Sequence, residues 1–453
     1  MNRAIFREYD IRGVADRDLT DEIARDVGRA LGTRLLREGG RSACLGRDVR
    51  ESSPRLHARL CEGLLATGCD VIDVGVVPTP LLYYAIVERG ASGGAMVTGS
   101  HNPIEYNGFK LCRGTAPIFG AEIGAIAEQM RAADFETGAG RVRTHDIVPA
   151  YRAMLRERQR AARPLTIVVD AGNGTGGGPG VAALRDQGHR VSCLYCEPDG
   201  RFPNHLPDPT VPAFMRDLQA RVLSEGADLG VGYDGDADRI GLVDERGRML
   251  FGDQILALLA RELLERLPGS RVLFDVKCSQ GLEEDIRAHG GLPIMWKTGH
   301  SLLKAKMIGD GIPLAGEMSG HMFFSEGFFG YDDAIYASVR MAAWLSRGGS
   351  PLSAIVDSLP AYVNTPEIRV ACPDDAKFRV VEEVGRLFSR QHEVIALDGA
   401  RVLFPEGWGL IRASNTQPVL VLRFEARTRE GLEAIERAFR EALRSHPEVE
   451  WRS

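Results

Sequence analysis

Three stretches of the chain repeat one grammar: a short apolar strand ending in Asp, a loop, an amphipathic helix, a Gly, and a second strand. The copies are SACLGRDVRESSPRLHARLCEGLLATGCDVIDVG from Ser42, LTIVVDAGNGTGGGPGVAALRDQGHRVSCLY from Leu165, and RVLFDVKCSQGLEEDIRAHGGLPIMW from Arg271. A crossover helix brings the second strand parallel to the first, so each copy is a β-loop-α-β unit. Three such units in series predict three similar α/β domains with mixed sheets. From about Ala361 the pattern changes: IRVACPDD, GARVLF, GWGLIRAS and PVLVLRFEA alternate with turns, and helices are expected over Ala376 to Gln391 and Glu430 to Ser445. That segment reads as an α+β domain with an antiparallel sheet.

Breaks in charge or Pro/Gly content near Pro149, Gly247 and Pro360 place the expected domains at 1-148, 149-248, 249-361 and 362-453. Ligands of α/β sheets sit beyond the carboxyl ends of the strands, so four facing loops would line a central cleft. The chain has 453 residues, 56 Lys+Arg against 62 Asp+Glu, and a net charge of -6. No global positive field draws it to nucleic acid or to an anionic membrane, so a phosphate-bearing ligand must be captured locally. No charge-free run is long enough to span a bilayer and MNRAIFREYD lacks an apolar signal region, so a cytoplasmic protein is expected. The eight cysteines (Cys44, Cys61, Cys69, Cys112, Cys193, Cys196, Cys278 and Cys372) read as reduced thiols. The single CxxC at Cys193 and Cys196 has no second pair to complete a zinc site.

Four loops carry chemistry. In GAMVTGSHNPIEYNGFK, Ser100 lies between Gly99 and His101 with Lys110 close behind. A hydroxyl on a tight turn beside an imidazole and an ammonium suits a nucleophile or a phosphorylation site, although a polar turn alone would look similar. In YDGDADR, Asp234, Asp236 and Asp238 alternate before Arg239, a spacing that lets three carboxylates converge on one hard cation such as Mg²⁺. An EF-hand loop would share this spacing, with Glu245 as its twelfth residue, but Arg239 stands where that loop needs Gly. Solvated turn aspartates are the plainer alternative.

GEMSGH gathers Glu317, Ser319 and His321 between glycines and suits sugar hydroxyls; upstream, KTGHS places Lys297 and His300 at another carboxyl edge. RASNTQP collects Arg412, Ser414, Asn415 and Thr416 with no acid among them, which suits a phosphate dianion. Tyr9 and Arg12 in EYDIRG lie close enough to the start to add contacts. A competing dinucleotide-binding fingerprint, Gly172-Asn173-Gly174-Thr175-Gly176-Gly177 with Glu197 downstream, would imply a dehydrogenase and leave the four loops without a task.

TGSHNP, DGDADR, GEMSGH and RASNTQPVLVLRFEA, in that order and one per domain, resemble the signature loops of the α-D-phosphohexomutase superfamily over the whole chain. KTGHSLLK, GEMSGH and RASNT are most similar to its bacterial phosphomannomutase/phosphoglucomutase branch. Phosphoglucosamine mutases, the alternative branch, usually have Gln after the Glu of the sugar loop and RPSGTEP in the phosphate loop. The resemblance implies phosphoryl transfer between O1 and O6 of glucose and mannose through phosphorylated Ser100 and a hexose 1,6-bisphosphate. Mg²⁺ would be held by Asp234, Asp236, Asp238 and a phosphoserine oxygen, beside Arg239. His101, Lys110 and His300 would share proton transfer or stabilise the phosphoserine. Tyr9, Arg12, Lys277, Glu317, Ser319, His321, Arg412, Ser414, Asn415 and Thr416 would bind the phosphosugar. A monomer with no nucleic-acid or membrane partner is expected. A regulator that kept these loops but lost turnover is the non-enzymatic alternative. Gly99, where the family commonly has Ala, is expected to loosen the serine loop, and Gln417, often Thr, to change little.

Overall fold

The computed structural model describes residues 2–414 and 417–451. Each repeat folds as its pattern requires. Ser42–Arg47 pairs in parallel with Asp70–Val76, Thr166–Asp170 with Arg190–Leu194, and Arg271–Asp275 with Leu292–Trp296, in each case across an intervening helix. Helices begin where a side chain satisfies a free amide: Thr20 accepts from Ile23, Ser279 from Gly281, and Asp333 from Tyr336. Left-handed glycines at Gly90, Gly226 and Gly311 end others.

Antiparallel strands complete the first three sheets. Tyr106–Arg113 pairs with Gly93–Val97, Ile240–Asp244 with Leu229–Tyr233, and Met322–Phe324 with Leu314–Gly316. The second sheet extends to Met249–Leu250, two residues past the break expected there. In the last domain Ala400–Phe404, Gly407–Ala413 and Val419–Ala426 run antiparallel, with helices Lys377–Phe388 and Arg429–Leu443 packed against them.

One continuous apolar cluster joins the first three domains, running through Ile72, Leu81, Val169, Leu258, Phe274 and Phe324. The last domain keeps its own core around Val380, Leu422, Phe424 and Phe439. Its junction with the third domain mixes a small apolar cluster, Val276 against Trp408 and Leu410 with Met295 beside them, with buried polar contacts. Arg401, which is 1 % exposed, donates to the carbonyls of Val276 (2.7 Å) and Cys278 (2.8 Å), Arg423 donates to the Lys277 carbonyl, and Glu425 accepts from Gln280 N (2.8 Å). Three domains thus share one large core, while the fourth keeps its own and joins the third through this smaller apolar patch and hydrogen bonds. Among the described residues no helix is long and apolar enough to cross a membrane.

The cysteine reading needs one correction. Cys193 and Cys196 are paired as a disulfide, because Tyr195 takes a left-handed conformation (φ 52°) that folds the chain back just after its strand. The other six cysteines are free thiols.

A buried titratable group sits where the shared core meets the third domain. Asp333 caps the helix Ala334–Arg347 and accepts hydrogen bonds from Tyr151 Oη at 2.9 and 2.7 Å; burial pushes its carboxyl up to about 7. The folded state therefore keeps a proton that the unfolded chain has released near pH 4, so stability should fall as pH rises through that interval and level off above 7. The shift corresponds to a penalty on the order of 4 kcal/mol. Asp333→Asn keeps the cap without that penalty. Denaturant melts at pH 5 and pH 8 should show the variant gaining on the wild type at the higher pH; parallel curves would contradict the assignment.

Candidate active site

The serine loop is held from behind. Strand Gly93–Val97 ends into a turn in which Ser100 adopts φ 47°, a left-handed conformation costly for a non-glycine residue. Arg50, 1 % exposed, secures it by donating to the carbonyls of Ser100 (2.8 Å), Asn102 (2.6 Å), Pro103 (2.6 Å), Ile104 (3.2 Å) and Tyr106 (2.9 Å). Asp48 accepts from Gly99 N at 2.9 Å and from Arg50 N at 3.0 Å. A Cβ on Gly99 would land in the Arg50 guanidinium. The expectation that Gly99 loosens this loop is thereby reversed: the glycine makes room for the group that clamps it.

Ser100 Oγ donates to Asp234 Oδ2 at 2.6 Å and lies 3.0 Å from His101 Nδ1. Asp234, Asp236 and Asp238 are all 1 % exposed or less, and one oxygen of each lies within 4.8 Å of the others. The turn holding them is fixed by Asp238 N and Arg239 N, which both donate to Asp234 Oδ1 (3.0 and 3.1 Å), and by Thr79 from the first domain, whose hydroxyl donates to Asp236 Oδ2 at 2.5 Å.

Lys110 Nζ bonds Asp236 Oδ2 at 2.6 Å and also Asp238 Oδ2. Burial together with the charges of Asp238 and Asp236 pushes the Asp234 carboxyl well up. Burial would raise Asp236 as well, but Lys110, Thr79 and Ser100 hold it low. Burial opposes the Lys110 charge, yet the three aspartates raise its pKa, so it remains an ammonium. Glu245, which the EF-hand alternative needs as a ligand, instead accepts from Ser353.

The sugar loop meets the metal loop edge to edge. Arg239 bridges to His321, Ile240 N donates to Gly320 O at 3.0 Å, and Arg239 Nε donates to His321 Nε2 at 2.9 Å. His321 Nδ1 faces Asp332 Oδ2 at 2.9 Å, and the rings of His300 and His321 stack with centroids 5.3 Å apart. Burial, with His321 nearby, drives the His300 pKa well down; burial and the charges of Arg239 and Arg12 do the same to His101. Both imidazoles are neutral near pH 7 and can accept a proton. Glu317 Oε1 accepts from Gly299 N at 2.7 Å, Oε2 from Ser319 Oγ at 3.3 Å, and burial raises its pKa. Gly299 has φ 133°, and a Cβ there would lie 2.6 Å from the Tyr9 ring.

A cleft of about 410 Å³ is lined by Tyr9, Arg12, Ser100, His101, Lys110, Arg239, His300 and His321, together with Arg369 and Gln417 of the last domain. Arg7, Arg12, Lys110, Arg239 and Arg369 outnumber Asp10 on its walls, so the chain is cationic here despite its net charge of -6. Lys277 and Arg412 are not among these lining residues; they face Glu367 (3.4 Å) and Asp398 (3.0 Å). Ser414 Oγ accepts from Gln417 N at 3.2 Å, while Asn415 and Thr416 lie outside the described residues. Gln417 has a task that its substitution pattern did not suggest: its Oε1 accepts from Arg369 at 2.8 Å. Lys297 is exposed.

Sequence reading did not find Arg50, Asp48, Thr79, Asp332, Arg369 or Asp398. The first two lie inside a repeat, in GRDVR, and a charged pair directly after an apolar strand was the available signal. The glycine-rich run that imitated a dinucleotide fingerprint serves the metal loop. Thr175 N donates to Gly235 O at 3.0 Å, and a Cβ on Gly174 would press on Gly235 at 2.7 Å.

Comparison with known proteins agrees with this layout. The family models for phosphoglucomutase/phosphomannomutase alpha/beta/alpha domains I, II and III match residues 3–137, 149–247 and 251–362, and the C-terminal domain model matches 367–442. The chain is 45% identical over 443 residues to a phosphomannomutase/phosphoglucomutase of Pseudomonas aeruginosa, covering 98% of this chain and 96% of the relative. It is 42% identical over 459 residues to a phosphoglucomutase of Neisseria gonorrhoeae, covering 100% of this chain and 99% of the relative. A crystal structure of a phosphoglucomutase/phosphomannomutase family protein from Burkholderia thailandensis superposes with a TM-score of 0.93 at 40% identity, over 98% of both chains. With all four domain models matched in order along the chain and relatives aligned over nearly its whole length, the protein belongs to the phosphoglucomutase/phosphomannomutase family.

Proposed function

We propose that the protein is a phosphohexomutase that interconverts the 1- and 6-phosphates of glucose and mannose, with Ser100 as phosphoryl carrier and a hexose 1,6-bisphosphate as intermediate. The observation that carries this reading is the setting of Ser100, whose hydroxyl is 2.6 Å from Asp234, in a buried carboxylate cluster at the floor of a cationic cleft.

Two buried oxygens, Asp236 Oδ1 and Asp238 Oδ1, have no hydrogen-bond partner among the described residues, and the cluster is all oxygen donors, so the site fits Mg²⁺. Asp234, Asp236 and Asp238 would hold it with a phosphoserine oxygen, and when bound it neutralises charge on the transferring phosphoryl group. Lys110 donates to the other oxygen of Asp236 and of Asp238, Oδ2 in each. Lys110, His101 beside Ser100 Oγ, and His300, all lining the cleft, would share the proton transfers or steady the phosphoserine. Glu317 and Ser319 read the sugar, while Arg412, Ser414, Asn415 and Thr416 grip the phosphate that is not reacting. The last domain, which keeps its own core, would close over the ligand and exclude water, which protects the phosphoserine from hydrolysis.

One nucleophile serves two half-reactions, so the bisphosphate turns over between them and the same loop holds the sugar in two opposed orientations. The equatorial 3- and 4-hydroxyls nearly exchange places in that turn, whereas the 2-hydroxyl meets different surroundings each time. Tight reading of position 2 in one orientation would be lost in the other. Glucose and mannose differ only at that carbon, so their kcat/KM values should agree within roughly tenfold, about 1.4 kcal/mol. Glu317→Ala should depress both in parallel. A coupled assay on glucose 1-phosphate, mannose 1-phosphate and glucosamine 1-phosphate checks the reading. No turnover of the two neutral sugars, or faster turnover of the amino sugar, would overturn it.

A further inference from the structure

Thr298 and Gly299 form a junction that three domains touch. Tyr9 Oη of the first domain donates to Thr298 O at 3.0 Å, Glu317 of the third accepts from Gly299 N at 2.7 Å, and Asp398 of the last accepts from Thr298 N at 3.0 Å. Asp398 also faces Arg412: Oδ2 accepts from Arg412 Nε at 3.0 Å and Oδ1 from Nη2 at 3.4 Å, with side chains 16% and 8% exposed. The turn is pressed onto this arginine, since Gly399 has φ 85° and a Cβ there would lie 2.7 Å from Arg412 Cβ. Sequence reading assigned Asp398 no task, and the chemistry of Ser100 does not use it.

We propose that Asp398 is a positioning residue for Arg412, and that it sets the phosphate loop of the last domain in register with the sugar loop of the third. The assignment rests on the phosphohexomutase reading. A guanidinium has two faces able to make paired hydrogen bonds. Asp398 takes the face formed by Nε and Nη2. The end formed by Nη1 and Nη2 keeps three N–H groups that make no hydrogen bond to the described residues, and it is the face left for a phosphate dianion. Because Asp398 Oδ2 also accepts from the Thr298 amide, the carboxylate that orients the arginine is itself anchored to the third domain. Through Thr298 O and Gly299 N, the same peptide segment fixes Tyr9 and Glu317. A phosphate on Arg412 and a sugar on Glu317 are thereby held at a set separation, as an ordered two-point grip on a hexose phosphate requires.

The non-reacting phosphate is bound alike in the ground state and the transition state, so loss of its orienting partner should appear mainly in KM. In the full chain, Asp398→Ala should raise KM for glucose 1-phosphate about tenfold while kcat changes less than threefold. Asp398→Asn, which can still accept from Thr298 N, should fall between the variant and the wild type and guards against a folding defect. In an Arg412→Ala background, Asp398→Ala should add little, because a residue acting through Arg412 has nothing left to orient. A purely structural role would lower the melting temperature and kcat with KM unchanged; that pattern, or an undiminished KM effect in the Arg412→Ala background, overturns the assignment while leaving mutase activity intact. A wild-type protein with no turnover of any hexose phosphate takes away the function and the assignment together.

Discussion

Ser100→Ala should lose turnover by about 10⁴-fold or more while keeping the fold, because removing a covalent nucleophile deletes the pathway and leaves only residual electrostatics. The backbone supports the second half of that expectation. The loop is held by the five carbonyl contacts of Arg50 and by Asp48 on Gly99 N, neither of which involves the serine hydroxyl. The change in stability should therefore stay within about 1 to 2 kcal/mol, the size expected for the two side-chain hydrogen bonds lost, to Asp234 and His101. Peptide mass spectrometry of the wild type incubated with glucose 1,6-bisphosphate should place one phosphoryl group on the peptide containing Ser100, and none on the variant. Wild-type rates in Ser100→Ala, or stable phosphate on another residue, would remove Ser100 as the carrier.

The parts of the molecule that were legible in the sequence are those written in local patterns. Period and punctuation gave the three crossover units, because a strand, a helix and a glycine recur within some 35 residues and each element's apolar face is visible in its own segment. The aspartate triplet was legible for the same reason, since its members alternate within one turn. What the sequence concealed is contact at long separation. Arg50 acts 50 residues from Ser100, Thr79 reaches Asp236 across 157 positions, and Asp398 reaches Thr298 across 100. Nothing in VPTPLL or IALDGA announces such partners. A buried arginine or aspartate is recognisable only once its surroundings are known, because alone it reads as a surface charge. Gly99 shows the converse error: with its neighbour invisible, a missing methyl looked like slack, whereas the space belongs to a guanidinium. The Cys193–Cys196 pair was hidden by conformation, since only the left-handed turn at Tyr195 folds the chain back so that the two sulfurs meet.

Chelation of divalent cations should stop turnover, and Mg²⁺ should restore it. Three carboxylates with one oxygen each within 4.8 Å, all nearly inaccessible to water, repel one another and lose hydration. Lys110 relieves part of this, holding Asp236 down, but Asp234 is still forced well up toward its protonated form. One ammonium is therefore too little charge for the cluster, and two oxygens, Asp236 Oδ1 and Asp238 Oδ1, remain without donors among the described residues. A divalent cation would supply the missing charge and give those oxygens a partner. It should then bind the protein whether or not substrate is present, and this separates a metal site from a mere preference for metal-complexed substrate. At a Mg²⁺ concentration 100-fold above its Kd the folded state should gain about 2.7 kcal/mol, read as a rise in melting temperature without any sugar. Asp236→Asn removes one of the three charges while keeping an oxygen for Thr79, so it should abolish most of that rise and lower kcat by about 10²- to 10³-fold. Unchanged activity in excess EDTA would sink the metal assignment. A melting temperature indifferent to Mg²⁺ in the wild type, with activity still metal-dependent, would move the cation from the aspartates to the substrate.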